Sequence, residues 1–169
     1  MINDAKVKKF MRLAGHPAKN EMNGSEKKIR ELGAQLLLSE TLEYVIKGLK
    51  VHPKVNGITI TEPDQLKYEC FAEKTDQLEM IDGLSDVAYT MFWNSCTFEV
   101  PLVKAFELVC DNNLQKFVYL PEWKEGERKL NHEEWDLRQG IIWPPEVISV
   151  EVIEVEGEFY GVGKDSSGK

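Results

Sequence analysis

Histidine and cysteine are both scarce in this chain of 169 residues, which has three of each. His16, His52 and His132 fall in segments that read as loops, and none forms a Glu-x-x-His. Surface positions are their expected role, and their pattern counts against a di-iron carboxylate bundle, which needs that motif twice. Cys70, Cys96 and Cys110 form no CxxC pair and are odd in number, so no disulfide framework is expected. Cys96 and Cys110 lie at helical core spacings, where a free thiol acts as a small apolar side chain. No segment approaches the roughly 20 apolar residues needed to cross a bilayer. Met1 to Arg12 is charged and has no apolar run of signal-peptide type, so a cytoplasmic, reducing compartment and no membrane are expected. Positive charge is also short, 21 basic residues against 29 acidic for a net charge of −8. That balance gives no support for binding a nucleic-acid polymer, which rests on neutralising phosphates. A small anionic substrate stays open, because a bound metal reverses the local field. Internal repeats and low-complexity linkers are absent, and the length suits one domain with a real core.

What is present is mostly helical patterning, with 42% hydrophobic and 30% charged residues. Ala5 to Ala14 reads as a short amphipathic helix stopped by Gly15-His16-Pro17. Ser25 is placed to cap a second helix reaching about Leu49. Val55-Asn56-Gly57-Ile58 carries the Asn-Gly signal of a tight hairpin turn, so a small β-hairpin is expected between helices. Helical spacing returns from about Thr75 to Thr97, and Pro101 fits the first turn of a further helix to about Phe117. From Tyr119 to Pro145 the chain reads as irregular. Val147 to Val155 and Glu158 to Val162 alternate as strands around Glu156-Gly157, giving a terminal hairpin, followed by a disordered tail from Lys164 to Lys169.

Two acidic pairs interrupt the apolar helices. With roughly 100° per residue, Glu40 and Glu43 fall on one narrow stripe with Ile29, Leu32 and Leu36. Asp82 and Asp86 share another with Tyr89, Trp93 and Cys96, and Glu79 lies near it. Both stripes are expected to face the interior, and no Lys or Arg appears interleaved to pair the acids. Buried carboxylates need a cation, hydrogen bonds or a metal, and hard oxygen ligands suit Mg²⁺ or Mn²⁺. The spacing alone leaves open a second reading, in which the acids are solvated and the apolar faces lie elsewhere. Glu133-Glu134 reads as a solvated acidic pair, and Tyr89 and Trp93 as core aromatics or as a platform for a nucleobase.

The acidic pairs on successive helices resemble the EExxE…ExxD signature of the all-α nucleoside triphosphate pyrophosphohydrolases, in particular the MazG-like and phosphoribosyl-ATP pyrophosphohydrolase-like branch. Phe10 to Pro17 looks like that group's first helix ending in Gly-His-Pro. Asp82-Gly83-Leu84-Ser85-Asp86-Val87-Ala88-Tyr89 resembles its D-x-L-x-D-x-x-Y helix. Asn113-Leu114-Gln115-Lys116 resembles N-x-[ST]-K, and Trp143-Pro144-Pro145 resembles W-x-P-P. The set occurs in family order over about residues 5 to 146. Departures are specific: Ser39 and Gly83 stand where glutamates are usual, Gln115 where Ser or Thr is usual, and Asp111 where Arg is usual.

The resemblance implies a mostly α protein, a helical bundle of that type, here with a small inserted β-hairpin and a C-terminal β-hairpin. The expected layout is a pyrophosphohydrolase-like domain over 1–146, a hairpin extension of it over 147–163, and the tail over 164–169. It implies hydrolysis of a nucleoside triphosphate, with a deoxynucleotide or a damaged nucleotide as the candidate substrate, to the monophosphate and pyrophosphate. Glu40, Glu43, Asp82 and Asp86 would hold Mg²⁺ or Mn²⁺. Asn113 and Lys116 would contact sugar or phosphate, and the catalytic base is unassigned. A homodimer or dimer of dimers is implied as the assembly. The alternative is a catalytically impaired nucleotide-binding or protein-interaction module on the same fold.

Overall fold

The computed structural model describes residues 4–16, 18, 26–124 and 143–166. Among these the protein is mostly α-helical with small antiparallel sheets. The helices are α1 (Ala5–Leu13), α2 (Lys27–Glu43), α3 (Gln77–Thr97) and α4 (Leu102–Leu114), and the strands are β1 (Lys54–Val55), β2 (Ile58–Thr59), β3 (Val118–Tyr119), β4 (Ser149–Val155) and β5 (Glu158–Lys164). Two compact units emerge, residues 21–90 and residues 1–20 with 91–169. Ser25, Pro17, His132 and Glu133-Glu134, to which the sequence assigned a cap, a stop and surface roles, lie outside the described residues.

In the unit of residues 21–90, α2 passes directly into a π-helical turn, Tyr44–Gly48. A π turn is wider than an α turn. The core here is Leu42, Ile46 and Ile60, with Leu66 against them. Asn56 and Gly57 both have positive φ, 49° and 81°, the geometry of a type I′ turn, and join β1 to β2. Glu62 and Gln65 cap the short 3₁₀ turn Pro63–Gln65 reciprocally. Asp76 caps α3, its Oδ1 accepting from the N–H groups of Leu78 at 3.0 Å and Glu79 at 3.2 Å, which satisfies two of the four donors a helix start leaves free.

In the other unit, β5 is the centre of a three-stranded antiparallel sheet in the order β3-β5-β4. The second hairpin turn repeats the logic of the first, with Glu156 at φ 58° and Gly157 at φ 79°. One side of the sheet buries Leu13, Val155 and Tyr160 with Leu114, Phe117 and Ile153. A second cluster joins Leu120, Trp123, Trp143 and Val150. Helix α1 packs on α4 and β4, with the Phe10 and Phe117 rings 5.5 Å apart. Gly15, at φ 72°, ends α1 with its N–H on the Arg12 carbonyl, as its sequence position predicts.

Two boundaries differ from expectation. Val118 and Tyr119 form a strand where irregular chain is expected, because they pair with Gly161 and Tyr160 of the terminal hairpin. That partner is some 40 residues away, beyond the reach of local patterning. Strand β5 continues through Lys164, which pairs with Ser149, so Lys164 belongs to the sheet rather than to a tail.

Candidate functional site

Glu40 and Glu43 stand on α2, and Asp82 and Asp86 on α3, each pair one helical turn apart. All four side chains are exposed, which corrects the expectation that their stripes face inward. On α2 the buried residue is Leu42, packed with Ile46 of the π turn against Ile60. This burial turns Ile29 and Leu36, on the same stripe as the acids, outward. No residue of α3 is buried, and Tyr89 and Trp93 beside the aspartates are 69% and 55% exposed.

The second correction concerns charge pairing. Lys47 Nζ lies 2.8 Å from Glu43 Oε1, four residues on and therefore on the same face. Hydrogen bonding and attraction to Glu43 hold the Lys47 ammonium above the ordinary lysine range, with smaller contributions from Glu62 and Glu40. The first acidic pair thus carries its own cation. Its signal, a lysine four residues after a glutamate, was readable in the sequence.

Ser39, Gly83, Asp111 and Gln115, noted above as departures from the resembled pattern, differ in their local surroundings. The Ser39 hydroxyl donates to the Leu36 carbonyl at 3.2 Å. Gly83 sits where an added Cβ meets nothing within 4 Å, so a side chain is sterically free there. Asp111 accepts from Lys6 at 2.6 Å, and Glu107 shares the same ammonium at 2.9 Å. Its carboxylate therefore ties α4 to α1. Gln115 follows α4 directly, its N–H on the Asp111 carbonyl at 3.1 Å.

Asn113 and Lys116 occupy the end of α4 and the turn after it. The Lys116 N–H donates to the Asn113 carbonyl at 3.2 Å, Asn113 is half-buried and Lys116 exposed. Trp143 is buried with Leu120, Trp123 and Val150, which makes it an anchor of the sheet unit. His16 and His52 are exposed outside the helices and strands.

Sequence reasoning missed a cleft of about 560 Å³ within the unit of residues 21–90, whose lining includes Arg30, Lys67, Tyr68, Lys74, Glu79 and Met80. The local fold builds it. Arg30 of α2 donates to the carbonyls of Ala72 at 3.0 Å and Glu73 at 3.3 Å, and Glu31 accepts from the Cys70 N–H at 3.0 Å. These bonds hold the 67–76 connector against the start of α2. Arg30 Nε and the Tyr68 hydroxyl are buried without a hydrogen-bond partner, an uncommon state for a buried polar group. Glu79 also lies within one and two turns of Asp82 and Asp86 along α3.

Among the described residues no group of three or more His, Cys, Asp or Glu side chains is gathered closely enough to hold a metal ion, and Lys47 already serves Glu43. Among the described residues no helix is long and apolar enough to cross a membrane. Comparison with protein-family models, curated proteins and solved structures finds no match.

Proposed function

We propose that this chain hydrolyses a nucleoside triphosphate to the monophosphate and pyrophosphate, with Mg²⁺ or Mn²⁺ as the cofactor that the resemblance implies. The observation that carries this reading is the placement of Glu40, Glu43, Asp82 and Asp86 in one-turn pairs on exposed stripes shared with apolar and aromatic side chains. Solvated acidic faces are ordinarily polar throughout, whereas these pair carboxylates with Leu36, Tyr89 and Trp93. The cleft beside Glu79 is lined by Arg30, Lys67 and Lys74 together with the carboxylates of Glu31, Glu69 and Asp76, a mixed set of charges. Asn113 and Lys116 are the proposed sugar and phosphate contacts. The base, the sugar and the water-orienting group are unassigned. The proposed setting is the cytoplasm, as a homodimer or dimer of dimers.

The test is pyrophosphate release from a panel of ribo- and deoxynucleoside triphosphates with Mg²⁺, beside a chelator control and Glu43→Gln. Matched release of monophosphate and pyrophosphate, lost with chelator and in Glu43→Gln, supports the reading. Unchanged turnover in Glu43→Gln removes the carboxylate assignment.

A second reading is a nucleotide-binding or protein-interaction module without catalysis. The Lys47–Glu43 and Lys6–Asp111 pairs favour it, since each commits a side chain at a family position to a partner within the chain. Calorimetry separates the two: Mg²⁺-dependent nucleotide binding by folded protein that releases no pyrophosphate selects the module.

A further inference from the structure

Strand β4 is an edge of its sheet, bonded to β5 alone among the described strands. On β5 the Phe159 carbonyl accepts from the Leu120 N–H, on the β3 side. Main-chain groups alternate sides along a strand, so Glu158 and Tyr160 turn theirs toward β4, where they face Val155 and Ile153. By the same alternation, Val152 and Glu154 of β4 turn their N–H and C=O groups away from the sheet. Among the described residues nothing bonds to those outward groups. Val150, next in the series, is buried in the cluster of Trp143, so the open stretch runs from Glu151 to Glu154.

Charge along the hairpin is unevenly matched. Glu158 receives Lys9 of α1 at 2.6 Å, and Glu156 receives Arg12 of α1 at 2.5 Å. Glu151 and Glu154 are exposed and have no cation among the described residues. Their neighbours across β5 are Val162 and Phe159. Between the two acids, Val152 and Ile153 are half-buried, on opposite faces of the sheet.

We propose that this edge of β4 takes up an extended, basic segment of another protein as an added antiparallel strand. Main-chain bonds to the outward groups of Val152 and Glu154 supply the attachment, and the side chains beside it set the specificity. Residues directly opposite share a face and interact. A strand laid antiparallel therefore needs Lys or Arg opposite Glu154, apolar residues opposite Ile153 and Val152, and Lys or Arg opposite Glu151. The segment that fits reads basic, apolar, apolar, basic. Charged side chains ordinarily guard an open edge against other strands. Here both guards are acidic, so they turn away acidic strands and admit basic ones. A second copy of β4 is disfavoured on the same ground, because it brings further carboxylates and holds no Lys or Arg. The edge lies apart from the acids of α2 and α3 in sequence, and the proposal does not rest on the hydrolase reading.

The test is fluorescence anisotropy of a labelled, end-blocked peptide centred on Lys-Val-Ile-Lys, titrated with the full chain at low salt. In the proposed register the Ile N–H faces β4 and the Val N–H faces away. Saturable binding is expected, weakened about tenfold or more by N-methylation at Ile and unchanged by N-methylation at Val. The same loss is expected with the chain carrying Glu151→Lys and Glu154→Lys. Absence of saturable binding overturns the proposal. Equal affinity of the two N-methylated peptides also overturns it, by showing that charge alone holds the peptide. That comparison uses the wild-type chain, so it decides even if the charge-reversed variant fails to fold. A solution mass that halves in Val152→Pro would put a second copy on the edge and overturn the proposal. None of these readouts depends on turnover, so failure of the strand addition and failure of the hydrolase reading are separate outcomes.

Discussion

Lys47 places its ammonium 2.8 Å from the Glu43 carboxylate, one turn further along the chain. In the proposed function the lysine and a divalent cation compete for the same oxygens. Lys47→Gln is therefore expected to bind Mg²⁺ several-fold more tightly than the wild type, as read by calorimetry. Both side chains are about half exposed, so little change in thermal stability accompanies it. Weaker Mg²⁺ binding in the variant would show that Lys47 supports the site instead of competing for it.

Acid sensitivity should centre on Glu158. Its Oε2 accepts from Lys9 Nζ and from the Tyr160 hydroxyl, both at 2.6 Å, and these bonds hold its carboxyl below the usual 4.5. A depressed carboxylate contributes stability that is present above the unfolded value and lost as pH falls through the folded one. The urea midpoint should therefore drop as pH falls below the usual 4.5, and less steeply in Glu158→Gln. At the alkaline end Lys9 is held above its usual 10.5, chiefly by Glu158, so its contribution fades only as pH rises past that value. A variant and wild type with parallel acid profiles would place the sensitivity elsewhere.

Two glycines should respond in opposite directions to alanine. At Gly163 an added Cβ meets Val147 Cγ2 at 2.9 Å and the Trp143 ring at 3.0 Å. Gly163→Ala should cost about 1–3 kcal/mol through overpacking. At Gly83, inside α3, the added Cβ meets nothing within 4 Å, and Gly83→Ala should stabilise by about 0.4–1 kcal/mol by restricting the unfolded chain. Chemical denaturation of both variants checks the pair. A neutral Gly163→Ala would mean that the Trp143 ring can shift.

Leu13 is the most buried side chain among the described residues, at 0% exposure. It joins α1 to Val155 and Tyr160 of the sheet. Leu13→Ala should cost about 2–5 kcal/mol, the range for a cavity in a well-packed core. Loss of the near-ultraviolet signal together with a lower denaturation midpoint would mark α1 as part of that cooperative unit, whereas a loss below about 1 kcal/mol would show the site collapsing around the smaller residue.

Local chemistry explains what was legible. Asn56-Gly57 and Glu156-Gly157 announce their turns because both positions need positive φ, which Gly, and at the first position Asn, adopt readily. The helices containing the four acids were visible through apolar spacing, as were the end of α1 through Gly15 and the start of α4 through Pro101. The direction in which those helices face was not. Apolar residues nearly encircle α2, with Leu36, Leu37 and Leu38 all partly exposed, so periodicity there supports more than one inward face. The π turn then selected Leu42 and Ile46. The exposure of Glu40 and Glu43 accompanies that choice, and the cleft depends on Arg30 reaching carbonyls more than 40 residues away.

By itself the sequence determined the helices, the two hairpin turns and the spacing of Glu40 with Glu43 and Asp82 with Asp86, because each depends on residues within a turn or two of chain. Tertiary structure alone decided the pairing of β3 with β5, the burial of Trp143, the union of Asp111 with Lys6 and the assembly of the cleft around Arg30 and Tyr68. Each of these joins separate segments of the chain, which only the folded structure brings within reach of one another.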